Sequence, residues 1–220
     1  AWWLSQQVFG QENSPVNSVV ISGEMPYTVR ADILSAVAPI SLGNFFQVNV
    51  NEVQEKIQLL PWVYSVSVRK QWPNELKIYV VDQMPVAIWN GDFLLNHQGE
   101  TFQADISRLQ QSLPTFFGPE GTELLALENF ANLNGLLKNS QLAIDELVLS
   151  ERFSWQLTLT DGVMLNLGRE DRIERIQRFI DSYSFIKHKK PNNQQVNYID
   201  LRYDTGVAVG WKPITDKQRV

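Results

Sequence analysis

The sequence predicts an α+β chain in two parts. A small N-terminal unit combines a three-stranded sheet with two helices, and a larger β domain with flanking helices follows. Three observations lead there. The composition is that of an ordinary globular protein, 44% apolar and 20% charged over 220 residues, long enough for one large core or two modest ones. The first pattern along the chain runs strand, helix, helix, strand, strand. Beyond residue 87, period-two alternation dominates and is interrupted by two stretches of helical spacing. The predicted divisions are a leading segment, 1–15, a small unit, 16–86, a β domain, 87–213, and a tail, 214–220.

The elements follow in order. Val16, Ser18 and Val20 alternate as a strand that ends at Ser22 and Gly23. Thr28, then Val29, Ile33, Leu34 and Val37, mark a short helix stopped by Pro39. Asn49 or Asn51 caps a second helix carrying Val53, Ile57 and Leu60, and Pro61 ends it. Val63–Val68 and Leu76–Val80, joined through Gln71–Glu75, form a hairpin. In the second part, Ile88 and Trp89 belong to a strand, and Phe93–Leu95 lead into a turn at His97–Gly99. A cluster rich in Pro and Gly, Pro114–Gly121, precedes a helix with Leu124, Leu127, Phe130, Leu133 and Leu137 on its apolar side. Leu142–Leu149 fits a strand. Trp155, Leu157 and Leu159 return as Val163, Leu165 and Leu167 around an Asp161-Gly162 turn, the clearest hairpin in the chain. Arg169–Ile186 reads as an amphipathic helix with Ile173, Ile176, Ile180 and Tyr183 inward. Its Asp171/Arg175 and Glu174/Arg178 pairs lie at i,i+4, its terminal lysines suit the helix dipole, and Pro191 stops it. Ile199, Leu201 and Tyr203 turn at Asp204–Gly206 into Val207, Val209 and Trp211, closing the chain on a hairpin.

Composition excludes several functions. A net charge of −5 is the wrong sign for phosphate backbones, so nucleic acid is not an expected partner. With no cysteine there is no disulfide framework, thiolate nucleophile or cysteine-based metal site. Only two histidines occur, His97 in a turn and His188 between lysines, and each reads as a solvated surface residue. No HExxH, Gly-x-Ser-x-Gly, Walker or Gly-x-Gly-x-x-Gly motif is present. Gly118 and Gly121 resemble a nucleic-acid GXXG loop only in spacing, because Glu120 and Glu123 surround it. The pairs Asp145/Glu146 and Glu170/Asp171 could serve a glycosidase, yet they fit a helix start or a solvated face better. No catalytic residue, metal site or cofactor is expected. No apolar run approaches membrane-spanning length, while Trp2 and Trp3, followed by Leu4, Val8 and Phe9, suit either a bilayer exit or an arm packed on the fold.

The end of the chain is different. Val207–Trp211 lacks the lysine, proline or inward charge that usually blunts an edge strand, with Lys212 and Pro213 coming only afterwards. At a sheet border, small residues such as Ala208 and Gly210 would admit a foreign backbone, and Tyr203 and Trp211 could anchor its side chains. A buried closing strand with core aromatics accounts for the same residues.

The stretches Leu60-Pro61-Trp62-Val63, Val66–Ile78 (VSVRKQWPNELKI) and Pro85–Trp89 (PVAIW) closely resemble the POTRA domain of the FtsQ/DivIB family of bacterial cell-division proteins. The likeness continues through Phe116–Gly121 (FFGPEG), Ser154–Leu159 (SWQLTL), Leu165–Arg169 (LNLGR) and Tyr198–Trp211 (YIDLRYDTGVAVGW), so it spans nearly all of the chain. This resemblance implies a POTRA domain over 16–86 and an FtsQ-type β domain over 87–213. It implies a single-pass inner-membrane protein whose periplasmic region is this chain, at the division septum, with 1–15 as the juxtamembrane segment. It also implies a non-enzymatic divisome scaffold that holds FtsB and FtsL and connects with FtsK, FtsW, FtsI and FtsN. The family pattern places strand addition by FtsB on Arg202, Tyr203, Thr205, Gly210 and Trp211, with a further basic contact at Arg152. Thr205 stands where serine is common, and Arg152 follows Glu151 where two arginines fit the pattern. A POTRA-type chaperone for outer-membrane proteins would use the same physics, but ordinarily carries several such units and a barrel. A cell-wall hydrolase would need a catalytic carboxylate.

Overall fold

The computed structural model describes residues 15–40 and 43–214, in two compact units. The residues carrying Trp2, Trp3 and the rest of the leading segment lie outside the described part. One unit runs up to Met84 and includes Ala104–Gln110; the other comprises Pro85–Gln103 and the chain from Gln111 onward.

The first unit has the predicted order: β1 (Ser18–Glu24), α1 (Arg30–Val37), α2 (Val50–Gln58), β2 (Val63–Gln71) and β3 (Glu75–Asp82). Its sheet is ordered β1-β3-β2, with β1 parallel and β2 antiparallel to β3. Asn49 rather than Asn51 caps α2, its side chain accepting the amides of Asn51 and Glu52. Ile33, Val37, Val53 and Ile57 from the helices meet Val66, Val68, Leu76, Ile78 and Val80 from the sheet in one core. Leu60 falls outside α2 and packs at that core's margin. Buried Asp82 holds the entry to α1, its Oδ2 accepting the amides of Tyr27 at 2.8 Å and Thr28 at 2.7 Å. Asp32 accepts from Arg108 at 2.7 Å, and this bond draws its carboxyl below the ordinary range.

The second unit contains β4 (Pro85–Trp89), β5 (Phe93–Asn96), β6 (Thr101–Phe102), β7 (Thr115–Phe117), α3 (Glu123–Lys138), β8 (Ile144–Leu149), β9 (Trp155–Leu159), β10 (Met164–Gly168), α4 (Arg172–His188), β11 (Gln194–Asp200) and β12 (Ala208–Pro213). They build one nine-stranded sheet, ordered β12-β11-β10-β9-β8-β7-β4-β5-β6. Trp89, Phe116, Leu147, Leu157, Leu165, Ile199 and Val209 stand in register across seven strands. All but the last are buried, and α3 and α4 close over them with Leu133, Leu137, Ile176, Phe179 and Ile186.

Four local expectations are corrected. The Pro114–Gly121 cluster contains a strand, β7, which pairs in parallel with both β4 and β8. Leu124 and Ile173, placed inward by helical spacing, are exposed because each lies in the first turn of its helix. In α4, Phe179 and Ile186 take core positions instead. Arg178, expected opposite Glu174, donates instead to the carbonyl of Tyr203. Finally, the terminal hairpin forms, but β11 stops at Asp200, so Leu201 and Tyr203 lie in the connection rather than in the strand.

Candidate partner-binding edge

β12 borders the sheet. Among the described residues its only strand neighbour is β11, whose register runs from Gln194↔Pro213 to Asp200↔Ala208 with a bulge between Val196 and Tyr198. A strand hydrogen-bonded on one side leaves alternate peptide groups on the other side facing solvent. Val207, Val209 and Trp211 are half-buried against the core, so the strand is held in place by packing while its free flank stays open.

The connection from Leu201 to Val207 is pinned at several points. The Leu201 amide donates to the Asn166 carbonyl at 3.0 Å, continuing the ladder with β10. Arg202 forks onto Asp200, with Nε 2.9 Å from Oδ1 and Nη2 2.6 Å from Oδ2. That fork keeps the Asp200 carboxyl below the ordinary range against the opposing effect of burial. Arg178 on α4 donates to the carbonyls of Tyr203 and, at 3.4 Å, Gly206. The loop therefore presents Tyr203, 58% exposed, on a fixed backbone, with Arg202 and Thr205 exposed beside it.

The sequence-predicted residues separate into three groups. Arg202, Tyr203 and Thr205 share this loop, while Gly210 and Trp211 lie within β12. Arg152 is in the exposed turn between β8 and β9, at the same end of the sheet because Trp155 pairs with Gly168 and Asn166 with Asp200. Three strand spacings put it about 15 Å along the sheet from that loop. Gly210 has a second explanation. It faces Tyr198 across the ladder, and a Cβ there would come within 2.1 Å of the tyrosine ring, so its smallness first serves an aromatic of its own sheet. Trp211 packs partly on the core, which combines the two sequence alternatives. Tyr198 and Asp200 are not expected at the site from sequence, and Arg178 is expected only as a partner of Glu174. Only the alternation Tyr198-Ile199-Asp200 hinted at the first two, and Arg178 reaches its acceptor from a different element.

Among the described residues no group of three or more His, Asp or Glu side chains could hold a metal ion, and no helix is long and apolar enough to cross a membrane.

The family description "Cell division protein FtsQ/DivIB, C-terminal" matches residues 87–202, and "POTRA domain, FtsQ-type" matches residues 14–83. Cell division protein FtsQ of Aliivibrio fischeri is 38% identical over 96% of this chain and 80% of its own length. The chain belongs to the FtsQ/DivIB family. FtsQ of Escherichia coli is 38% identical over 93% of this chain and 75% of its own, and that of Shewanella oneidensis 42% over 90% and 74%. This family member therefore carries an FtsQ-type POTRA domain on its N-terminal side, a larger mixed sheet domain after it, and a role in cell division.

Proposed function

We propose that this chain is a non-enzymatic divisome scaffold that binds FtsB, together with FtsL, by accepting a strand along β12. The supporting observation is that, among the described residues, β12 has a single strand neighbour, so its outer flank offers peptide donors and acceptors to another chain. Tyr203, and the part of Trp211 that remains accessible, supply anchors beside that ladder. Arg202 and Arg152 act at the rim, setting register and association rate more than affinity, because exposed charges contribute little net energy in water. Thr205 and Gly210 complete the site. In the same reading the chain is the periplasmic part of a single-pass inner-membrane protein at the septum, residues 16–86 serve recruitment, and FtsK, FtsW, FtsI and FtsN are further partners.

Titration with the periplasmic segment of the FtsB from the same cell tests the proposal. Tyr203→Ala is expected to weaken binding by about 2 kcal/mol or more without altering the fold, since the ring is largely outside the core. Trp211→Ala should weaken binding as well and lower stability, because its ring also packs inward. If both variants bind as the unaltered chain does, β12 is not the docking edge. A lytic band in peptidoglycan zymography would overturn the non-enzymatic assignment.

A further inference from the structure

The first unit carries a cleft of about 410 Å³ that strand addition at β12 does not use. It is walled by the start of α1, by the connection between α2 and β2, and by the stretch Ala104–Gln110, which belongs to the same compact unit. Ala36, Leu60, Pro61 and Trp62 supply an apolar lining. The rest of the wall is polar. Arg108 donates to the Tyr27 carbonyl at 2.9 Å and to Asp32 at 2.7 Å, and Asp105 accepts the amide of Ser107 at 3.0 Å. Thr28 completes the wall, and its amide donates to Asp82 behind it. Thr28 and Asp82 are 4% and 2% exposed, yet the Thr28 hydroxyl and Asp82 Oδ1 have no hydrogen-bond partner.

Charge is unbalanced here. The Arg108 guanidinium is held above its ordinary pKa by its hydrogen bond to Asp32 and then by the fields of Asp32, Asp105 and Asp82, so three carboxylates act on one cation. Among the described residues no lysine, arginine or histidine lies within ion-pair distance of Asp105 or Asp82. The bond between Asp32 and Arg108 ties the stretch Ala104–Gln110 to α1, which accounts for those two charges. It accounts neither for Asp105, exposed at the rim, nor for the apolar lining beside it. A cleft with an apolar wall next to surplus carboxylate suits a side chain that has an apolar stem and a cationic tip. Of the two such side chains, arginine is the less strongly hydrated and the more frequent anchor at interfaces.

We propose that this cleft receives an arginine side chain of a partner protein, its stem along Leu60, Pro61 and Trp62 and its guanidinium toward Asp105 and Asp32. The site goes beyond the β12 edge and is independent of it. It gives the first unit a contact of its own, with a chemistry opposite to that of the Arg202 loop.

The test follows backbone amides of the isotopically labelled chain by NMR during titration with N-acetyl-arginine amide, N-acetyl-citrulline amide and methylguanidinium. The arginine amide is expected to shift Thr28, Ser35 and Trp62 saturably. Citrulline, its neutral isostere, should bind about tenfold more weakly, and methylguanidinium, which keeps the charge but lacks the stem, should also bind more weakly. Asp105→Asn retains a capping oxygen, and the spectrum itself reports its fold; it should weaken the arginine amide about threefold, while Asp204→Asn, exposed in the other unit, should not. Equal binding of citrulline would overturn the proposal, because the carboxylates would then play no part. Methylguanidinium binding as tightly as the arginine amide would overturn it too, leaving a site for free cations. So would unchanged affinity in Asp105→Asn, or shifts confined to other residues. None of these outcomes bears on strand addition, which the Tyr203→Ala titration decides separately.

Discussion

Asp200 and Arg202 are separated by a single residue, yet their burial differs sharply: the carboxylate is 10% exposed and the guanidinium 60%. Removing the arginine would leave a buried charge without its fork. Since the folded state lowers the Asp200 pKa, its stabilising contribution is complete above the ordinary carboxylate value of about 4 and is lost as pH falls through the lowered one. Arg202→Ala should therefore be less stable than the unaltered chain at neutral pH, and the difference should close in acid; urea unfolding across pH reads this, and a constant gap would contradict it. Two glycines give sharper tests. At Gly23, with φ +136°, a Cβ would lie 1.8 Å from the Val80 carbonyl oxygen, so Gly23→Ala should cost about 3 kcal/mol in thermal unfolding. At Gly210 the obstacle is a side chain. Gly210→Ala should be destabilising beside Tyr198 and close to neutral in a Tyr198→Ala background, a coupling that a double-mutant cycle measures directly.

At the level of elements, what sequence disclosed depends on how local each determinant is. The β9–β10 hairpin was readable because its alternation, its Asp161-Gly162 turn and its partner all lie within fifteen residues. The helices were readable from their spacing, though their first turns, Leu124 and Ile173, escape the core that the periodicity assigns them. β7 was hidden. It has three residues between prolines and glycines, and it exists because β4 and β8 flank it from distant parts of the chain. The candidate edge was half legible: an unblunted run from Val207 to Trp211 is visible in the letters, but whether another strand covers it is decided by the pairing of β11 with β10. Leu157, central in the buried row, gives the element-scale prediction: Leu157→Ala should lower the stability of its unit by about 3 kcal/mol in denaturant unfolding, and a loss well under 1 kcal/mol would mean the sheet is not packed as described.

For the molecule as a whole, the two units have separate cores and each sheet has its own borders. Amide exchange can therefore assign a partner to one border. With the FtsB segment added, exchange from Val207 to Trp211 should slow while that of β1 and β2 stays as it was. Slowing confined to the first unit would move the docking site there.

The strand order of the larger sheet carries a temporal meaning. β11 enters only after α4 has crossed over to bring it parallel to β10, and β12 then folds back as the outermost ribbon, C-terminal to every other strand described. A polypeptide emerging N-terminus first lays down β4 to β10 before that ribbon exists. Under the strand-addition proposal, only a chain translated past Trp211 can offer the ribbon to a partner, because unfinished copies end on a different rim.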